Sequence, residues 1–165
     1  MDGLQRLLSF ARRAVDDYQM IQENDRICVG VSGGKDSLSL LVTLAELRRF
    51  YPKHFEVVAL SVDMHFDELD SQRPAADYRQ IQDLCAKLGV EYHIESSHIA
   101  KIVFDIRKET NPCSLCATLR RGALNNAAIA LGCNKLALGH HFDDVLDTFM
   151  LNLIHEGRIG TFSPV

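Results

Sequence analysis

The sequence is short of several things, and each shortage removes a class of protein. No apolar run approaches the 18 residues of a membrane-crossing helix. The apolar start, LQRLLSF, is followed at once by Arg12, Arg13, Asp16 and Asp17, so it does not read as an export signal. There is no surplus of basic charge: 18 Lys and Arg face 22 Asp and Glu, for a net charge of −4. That argues against a nucleic-acid surface spread over the whole molecule. Cysteine is scarce and odd in number, five in all, which excludes a plain disulfide framework. Without an export signal the thiols are expected to be reduced, in a cytoplasmic protein with no membrane partner. No internal repeat and no low-complexity segment is present.

What remains is 165 residues, 47% of them hydrophobic, enough for one domain with a full core over 1–165. Leu4, Leu7, Leu8, Ala11, Val15 and Tyr18 fall at helical spacing and predict a helix over 4–20. ICVGV (27–31), FEVVALSV (55–62), VEYHI (90–94) and KLALG (135–139) read as strands. Helical patterns lie between them: 37–50, a segment from Pro74 to Leu88 closed by Gly89, and one opened by Pro112 and closed by Gly132. Residues 98–108 are ambiguous, with a short helix as one reading, and 143–157 form a last helix with an Asp-rich start. Strands alternating with helices specify a doubly wound α/β fold, a parallel sheet with helices on both faces. Such sheets bind ligands beyond the carboxyl ends of their strands.

The residues with chemistry fall at those ends. Ser32-Gly33-Gly34-Lys35-Asp36-Ser37 follows the first strand. It is not a Walker loop, because Val29 stands at the first glycine position and Asp36 where a hydroxyl should follow the lysine. It breaks the dinucleotide fingerprint as well. Gly33 and Gly34 permit unusual backbone geometry and close approach to an anion. Ser32 and Ser37 add hydroxyls, Lys35 a charge, and the helix starting near Ser37 its positive end. From the turn alone, phosphate binding competes with an ordinary capped turn with Asp36 or Ser37 as N-cap.

The second motif, LALGHHFDDVLDTF (136–149), carries Gly139, His140, His141, Asp143 and Asp144. Its acids suit either a helix cap or magnesium held through carboxylates and ATP oxygens. The third, NPCSLCATLRRGAL (111–124), puts Cys113 and Cys116 three residues apart in the opening turn of a helix. A helix N-terminus favours thiolates, which can bind metal. Arg120 lies four residues beyond Cys116 on the same face. Arg12–Arg13, Arg48–Arg49 and Arg120–Arg121 are candidate local basic patches, each pair competing with a plain solvated helix face. The gap from Cys116 to His140 exceeds the roughly 12–15 residues of a zinc finger. Cys28, Cys85 and Cys133 sit in strand and helix patterns and are expected in the core.

SGGKDS directly after a buried strand resembles the pyrophosphate loop of the PP-loop ATP-pyrophosphatase superfamily. DRICVGVSGGKDSLSLL, PCSLCATLRRGAL and LALGHHFDDVLDT, in this order, resemble the tRNA 2-thiocytidine synthetase family. Asp147 stands where the related GHHxDDxxET pattern has glutamate, so it receives no direct role. The resemblance covers nearly the whole chain, and the natural protein is expected to continue past its last motif, GRIGTFSP.

The resemblance implies an ATP-dependent tRNA sulfurtransferase that adenylates a cytidine C2 oxygen, releases pyrophosphate and replaces the oxygen with sulfur by way of an iron–sulfur cluster. Lys35 and the loop Ser32–Ser37 would hold pyrophosphate, and Ser61, Val62 and Asp63 would border adenosine together with Gly139 and His140. Asp36, Asp143 and Asp144 would serve Mg2+. Cys113 and Cys116 would hold a 4Fe-4S cluster, incomplete in this chain because the family's third cysteine has no counterpart. Implied partners are tRNA, touching Arg120 and Arg121, and a sulfur donor such as a cysteine desulfurase. Further residues or a homodimer would enlarge the docking surface. Two other readings remain: another PP-loop synthetase, lysidine-synthetase-like or acting on a small molecule, and a non-catalytic ATP-binding module.

Overall fold

The structure, a computed structural model, describes residues 3–70, 72, 74–107 and 112–162. Asn111 of the cysteine motif, residue 108 of the ambiguous stretch, and Ser163 and Pro164 of the last motif lie outside the described residues.

Four strands, β1 (Asp25–Gly30), β2 (Phe55–Asp63), β3 (Glu91–Ser96) and β4 (Lys135–Ala137), form one sheet in the order β3-β2-β1-β4. All three pairings are parallel. The helices are α1 (Gly3–Asp17), α2 (Lys35–Leu47), α3 (Arg79–Leu88), α4 (Pro112–Ala130) and α5 (Phe142–His155). The doubly wound fold class is therefore as the strand–helix alternation predicted.

Period-2 alternation sends the two faces of β1 to different helices. Val29, level with Ala59 and Ala137, faces a core built with Leu8 and Val15 of α1, Leu41 and Leu44 of α2, and Ile81 and Cys85 of α3. Cys28, level with Val58 and Leu136, faces Ala127 and Ala128 of α4. Burial on both faces is why this strand reads as an unbroken apolar run. Cys28, Cys85 and Cys133 are all buried, as expected. The Cys28 thiol is pushed up to about 12, first by burial and then by Cys133 beside it.

Several boundaries differ from the sequence reading, α2 spanning Lys35–Leu47 against the predicted 37–50, and three differences have a local reason. The first helix ends at Asp17 rather than 20, because Gln19 takes a left-handed conformation (φ 50°) and the Met20 N–H turns back to Val15 O. The third helix begins at Arg79, not at Pro74. The Asp77 carboxylate captures the Arg79 backbone N–H at 3.0 Å and holds its guanidinium, an Asx-type turn that delays the helix. Residues 101–107 coil as a π-helix, a wider turn than the short helix expected. Gly89 and Gly132, both at positive φ, follow α3 and α4 as predicted.

The fifth helix is unlike the others. None of its side chains is fully buried, and Phe142, Leu151 and Ile154 are largely exposed.

Candidate functional site: a cavity at the carboxyl ends of the strands

The strand order reverses between β1 and β4, since the chain runs outward through β2 and β3 before returning to the other side of β1. A crevice must open there, because the connections leave β1 and β4 on divergent paths. A cavity of about 680 Å³ occupies this end of the sheet, within the roughly 300–1,000 Å³ range of small-molecule sites.

Its floor is the turn from Gly30 to α2. Gly33 sits at φ 81°, a conformation that strains any residue with a Cβ. Gly34 does not share it. At φ −76° and ψ 156° it is extended, and it serves as the N-cap of α2. The expectation that both glycines need special geometry is corrected to Gly33 alone. The helix starts at Lys35, so neither Asp36 nor Ser37 is the cap; they are its second and third residues.

Ser37 is buried and fastens the turn from inside. Its hydroxyl donates to Gly34 O at 3.0 Å and accepts the Ser32 N–H at 3.2 Å. The Ser32 hydroxyl lies 3.1 Å from it. The amides of the first turn of α2 lack intrahelical acceptors by the geometry of any helix start, and they open toward the cavity with the positive end of the helix.

The second junction approaches the first at contact distance. A Cβ on Gly139 would lie 2.8 Å from Ser37 N and 2.9 Å from Asp36 C, so only glycine lets the turn after β4 touch the start of α2. His140 follows, lining the cavity and packing its ring on Phe162 with centroids 5.2 Å apart. His141 is the N-cap of α5. Its backbone N–H donates to the Asp144 carboxylate at 2.7 Å, and its ring lies 3.5 Å from Asp144 Oδ2 and 3.8 Å from Asp36 Oδ2. One imidazole thus stands between the carboxylates of the two junctions.

Most of the residues predicted from sequence meet here. Ser32, Gly33, Gly34, Asp36 and Ser37 line the cavity, as do Ser61, Val62, Asp63, Gly139 and His140, and Arg120 and Arg121 from α4. Ser61 is buried, and its hydroxyl donates to Val31 O at 2.7 Å and accepts from Tyr92 at 2.9 Å. Its side chain therefore pins three strand ends and leaves only backbone toward a ligand. Lys35 is exposed at the first position of α2 and is not among the lining residues; nor are Asp143 and Asp144. Cys113 is exposed and Cys116 half-buried, its sulfur 3.8 Å from the sulfur of Met64, which does line the cavity.

Sequence reasoning missed the wall from Met64 to Tyr78. Tyr78 and Asp77 face the cavity from the start of α3, with Phe66 and Asp67 beside them. Burial, then the nearby charge of Asp63, pushes the Tyr78 phenol up to about 12. The Arg79 guanidinium holds Asp77 down at about 2. This segment has no periodicity, and Pro74, its punctuation, predicts a helix start that the structure places at Arg79. His141 stood inside a quoted motif without a role.

Among the described residues no group of three or more His, Cys, Asp or Glu side chains gathers to hold a metal. Cys113 and Cys116 offer two sulfur ligands, where an iron–sulfur cluster normally takes about four. The three other cysteines are buried in the core, so the described residues do not complete that set. Magnesium asks less, one or two carboxylates plus ligand phosphates, and Asp36 and Asp144, drawn toward one imidazole, fit that requirement.

The chain is similar to known proteins along most of its length. The family model described as PP-loop domain matches residues 7–162. The tRNA-cytidine(32) 2-sulfurtransferase of Alkalilimnicola ehrlichii is 42% identical over 96% of this chain and 49% of its own length. The protein of the same name from Pelobacter propionicus is 43% identical over 96% of this chain and 56% of its own. The chain thus spans about half the length of these relatives. Among solved structures, the U34-tRNA thiolase NcsA from Methanococcus maripaludis, with its 4Fe-4S cluster, superposes with a TM-score of 0.70 at 28% identity. The match covers 93% of this chain and 52% of that one.

Proposed function

Because the chain belongs to the PP-loop domain family, we propose that it is the nucleotide-activating core of a tRNA sulfurtransferase acting on cytidine. The reading is supported first by one observation: the Gly33 turn and the start of α2 open into the switch-point cavity, against the backbone of Gly139. It is supported second by the names of the relatives, which are tRNA-cytidine(32) 2-sulfurtransferases.

ATP lies with its β and γ phosphates over the backbone amides of Gly33, Gly34 and the first turn of α2. Lys35 swings in from the rim. The adenosine lies against the strand end at Ser61, Val62 and Asp63. The cytidine O2 attacks the α-phosphorus, a new P–O bond forms, and the bond to the β-phosphate bridge oxygen breaks with the electron pair leaving on pyrophosphate. Adenylation makes the C2 oxygen a good leaving group. Hydrosulfide, released from the persulfide of a donor such as a cysteine desulfurase by two electrons from external thiols that become a disulfide, adds at C2. Its proton is lost to solvent and AMP departs with the C–O electron pair. Amides fixed before the reaction stabilise the charge that builds on the leaving phosphates, which is the main catalytic contribution of such a site. Magnesium, when bound near Asp36 and Asp144, with Asp143 beside them, neutralises phosphate charge.

ATP–pyrophosphate exchange with and without bulk tRNA tests the reading. Exchange is expected with tRNA, and Lys35→Ala is expected to lower it about a hundredfold. Formation of ADP in place of AMP, or exchange untouched by Lys35→Ala, would sink the assignment.

A further inference from the structure

The cavity is charged unevenly. Its carboxylates, Asp36, Asp63, Asp67 and Asp77, belong to the turn after β1, the end of β2 and the approach to α3. Its guanidiniums, Arg120 and Arg121, come from α4, which packs on the opposite face of the sheet from α2 and α3. Three of these acids have protein partners. Asp36 lies near His141, Asp63 accepts the His65 N–H at 3.0 Å, and Asp77 holds Arg79. Arg120 and Arg121 form no ion pair and no side-chain hydrogen bond with any described residue. Other exposed arginines of the molecule are satisfied locally, such as Arg12 with Asp16 and Arg13 with Asp17.

We propose that Arg120 and Arg121 form a second anion site in this cavity, apart from the glycine turn, that binds a phosphodiester of the RNA strand next to the target nucleotide. This rests on the tRNA reading given above and says how the strand enters. Planar guanidiniums pair with phosphate oxygens two bonds at a time, and both of these line the same cavity. ATP phosphates are already served by the amides at the start of α2 and do not need α4. Phosphate contacts fix register while the base itself is read elsewhere. A phosphate held at the cavity wall would orient a base unstacked from its neighbours and turned inward, the general way enzymes reach an atom of a paired or stacked base. A net charge of −4 leaves the rest of the surface a poor attractant for RNA, so a few placed arginines must do the work.

The test compares the 165-residue chain with Arg120→Ala, Arg121→Ala and the double variant, and with Arg12→Ala/Arg13→Ala as a charge-matched control. Binding of a fluorescent anticodon stem–loop RNA is titrated at several salt concentrations, alongside binding of a fluorescent ATP analogue, with thermal midpoints checking the fold. Each α4 substitution is expected to weaken RNA binding about tenfold and to lower the slope of log affinity against log salt by about 1. ATP affinity should stay within about twofold, and Arg120→Lys should keep the slope while losing affinity. Wild-type RNA affinity in the double variant would overturn the proposal, as would no RNA binding by the unsubstituted chain. So would an equal loss of ATP affinity, which would put the arginines on ATP phosphates, or an equal loss in the α1 control, which would make the effect mere net charge. Failure of the adenylation reading shows separately, as absent pyrophosphate exchange.

Discussion

The two strand-to-helix junctions that meet at the switch point solve the same local problem with different materials. After β1, Ser32–Ser37 is tied by hydroxyls, and its helix is capped by a glycine whose side makes no hydrogen bond. After β4, Gly139–Asp144 is tied by a carboxylate that reaches back to the His141 N–H, with an imidazole between acids. The first junction leaves backbone donors facing the cavity and favours an anion. The second surrounds its helix start with carboxylates and favours a cation. Side by side, the two junctions meet through Gly139 and Ser37 and through His141 between Asp36 and Asp144.

The contact between the junctions is the most sensitive point. Gly139→Ala drives a Cβ into the backbone of α2 at Ser37, where no side chain can move aside. Overpacking of this kind costs up to about 3 kcal/mol, or a fall of roughly 6–12 °C in thermal midpoint for a chain of this size. ATP binding should be lost with it; an unaltered midpoint and affinity would show that the junctions do not touch.

Gly33→Ala comes next. The added Cβ has room, with Ile81 Cδ1 at 3.8 Å, so the cost is the left-handed backbone, about 1–2 kcal/mol. Because the strain falls on the anion-facing amides, ATP affinity should drop further than urea stability does; equal losses would mean the turn is only structural.

Asp144→Ala removes the reach-back bond at the second junction. About 1 kcal/mol of stability should go, seen as a midpoint shift of roughly 2–4 °C. More magnesium should be needed for half-maximal pyrophosphate exchange. An unchanged magnesium requirement would assign Asp144 to capping alone.

The smallest effect is expected at Gly34→Ala. Its backbone is one that any residue adopts, and the new methyl meets only Ser32 Oγ at 3.4 Å. A stability change within about 0.5 kcal/mol, measured by urea unfolding, sets it apart from Gly33; a large loss would erase the distinction between the two glycines.

How much of this could be read beforehand differs along the chain. The strands β1 and β2 announced themselves because burial on both faces demands unbroken apolar residues, as in Val57 through Leu60. The Ser32–Ser37 and Gly139–Asp144 motifs were legible because their residue types are chemically constrained at adjacent positions. The Met64–Tyr78 wall was not: among its described residues are a 3-10 turn at Phe66–Glu68 and Asx-type turns at Asp70 and Asp77, none of which leaves a long period. The exposure of α5 was equally hidden, since an apolar helical pattern records what could be buried and not what covers it.

By itself the sequence determined the order of strands and helices, the turn that needs a left-handed glycine and the chemical types at each strand end, because these depend on near neighbours in the chain. Tertiary structure alone decided that Gly139 abuts Ser37, that His141 stands between Asp36 and Asp144, and that Arg120 and Arg121 share a cavity with the glycine turn. Those meetings join residues roughly 90–110 positions apart, and only the pairing of β1 with β4 and the packing of α4 on the sheet bring them together.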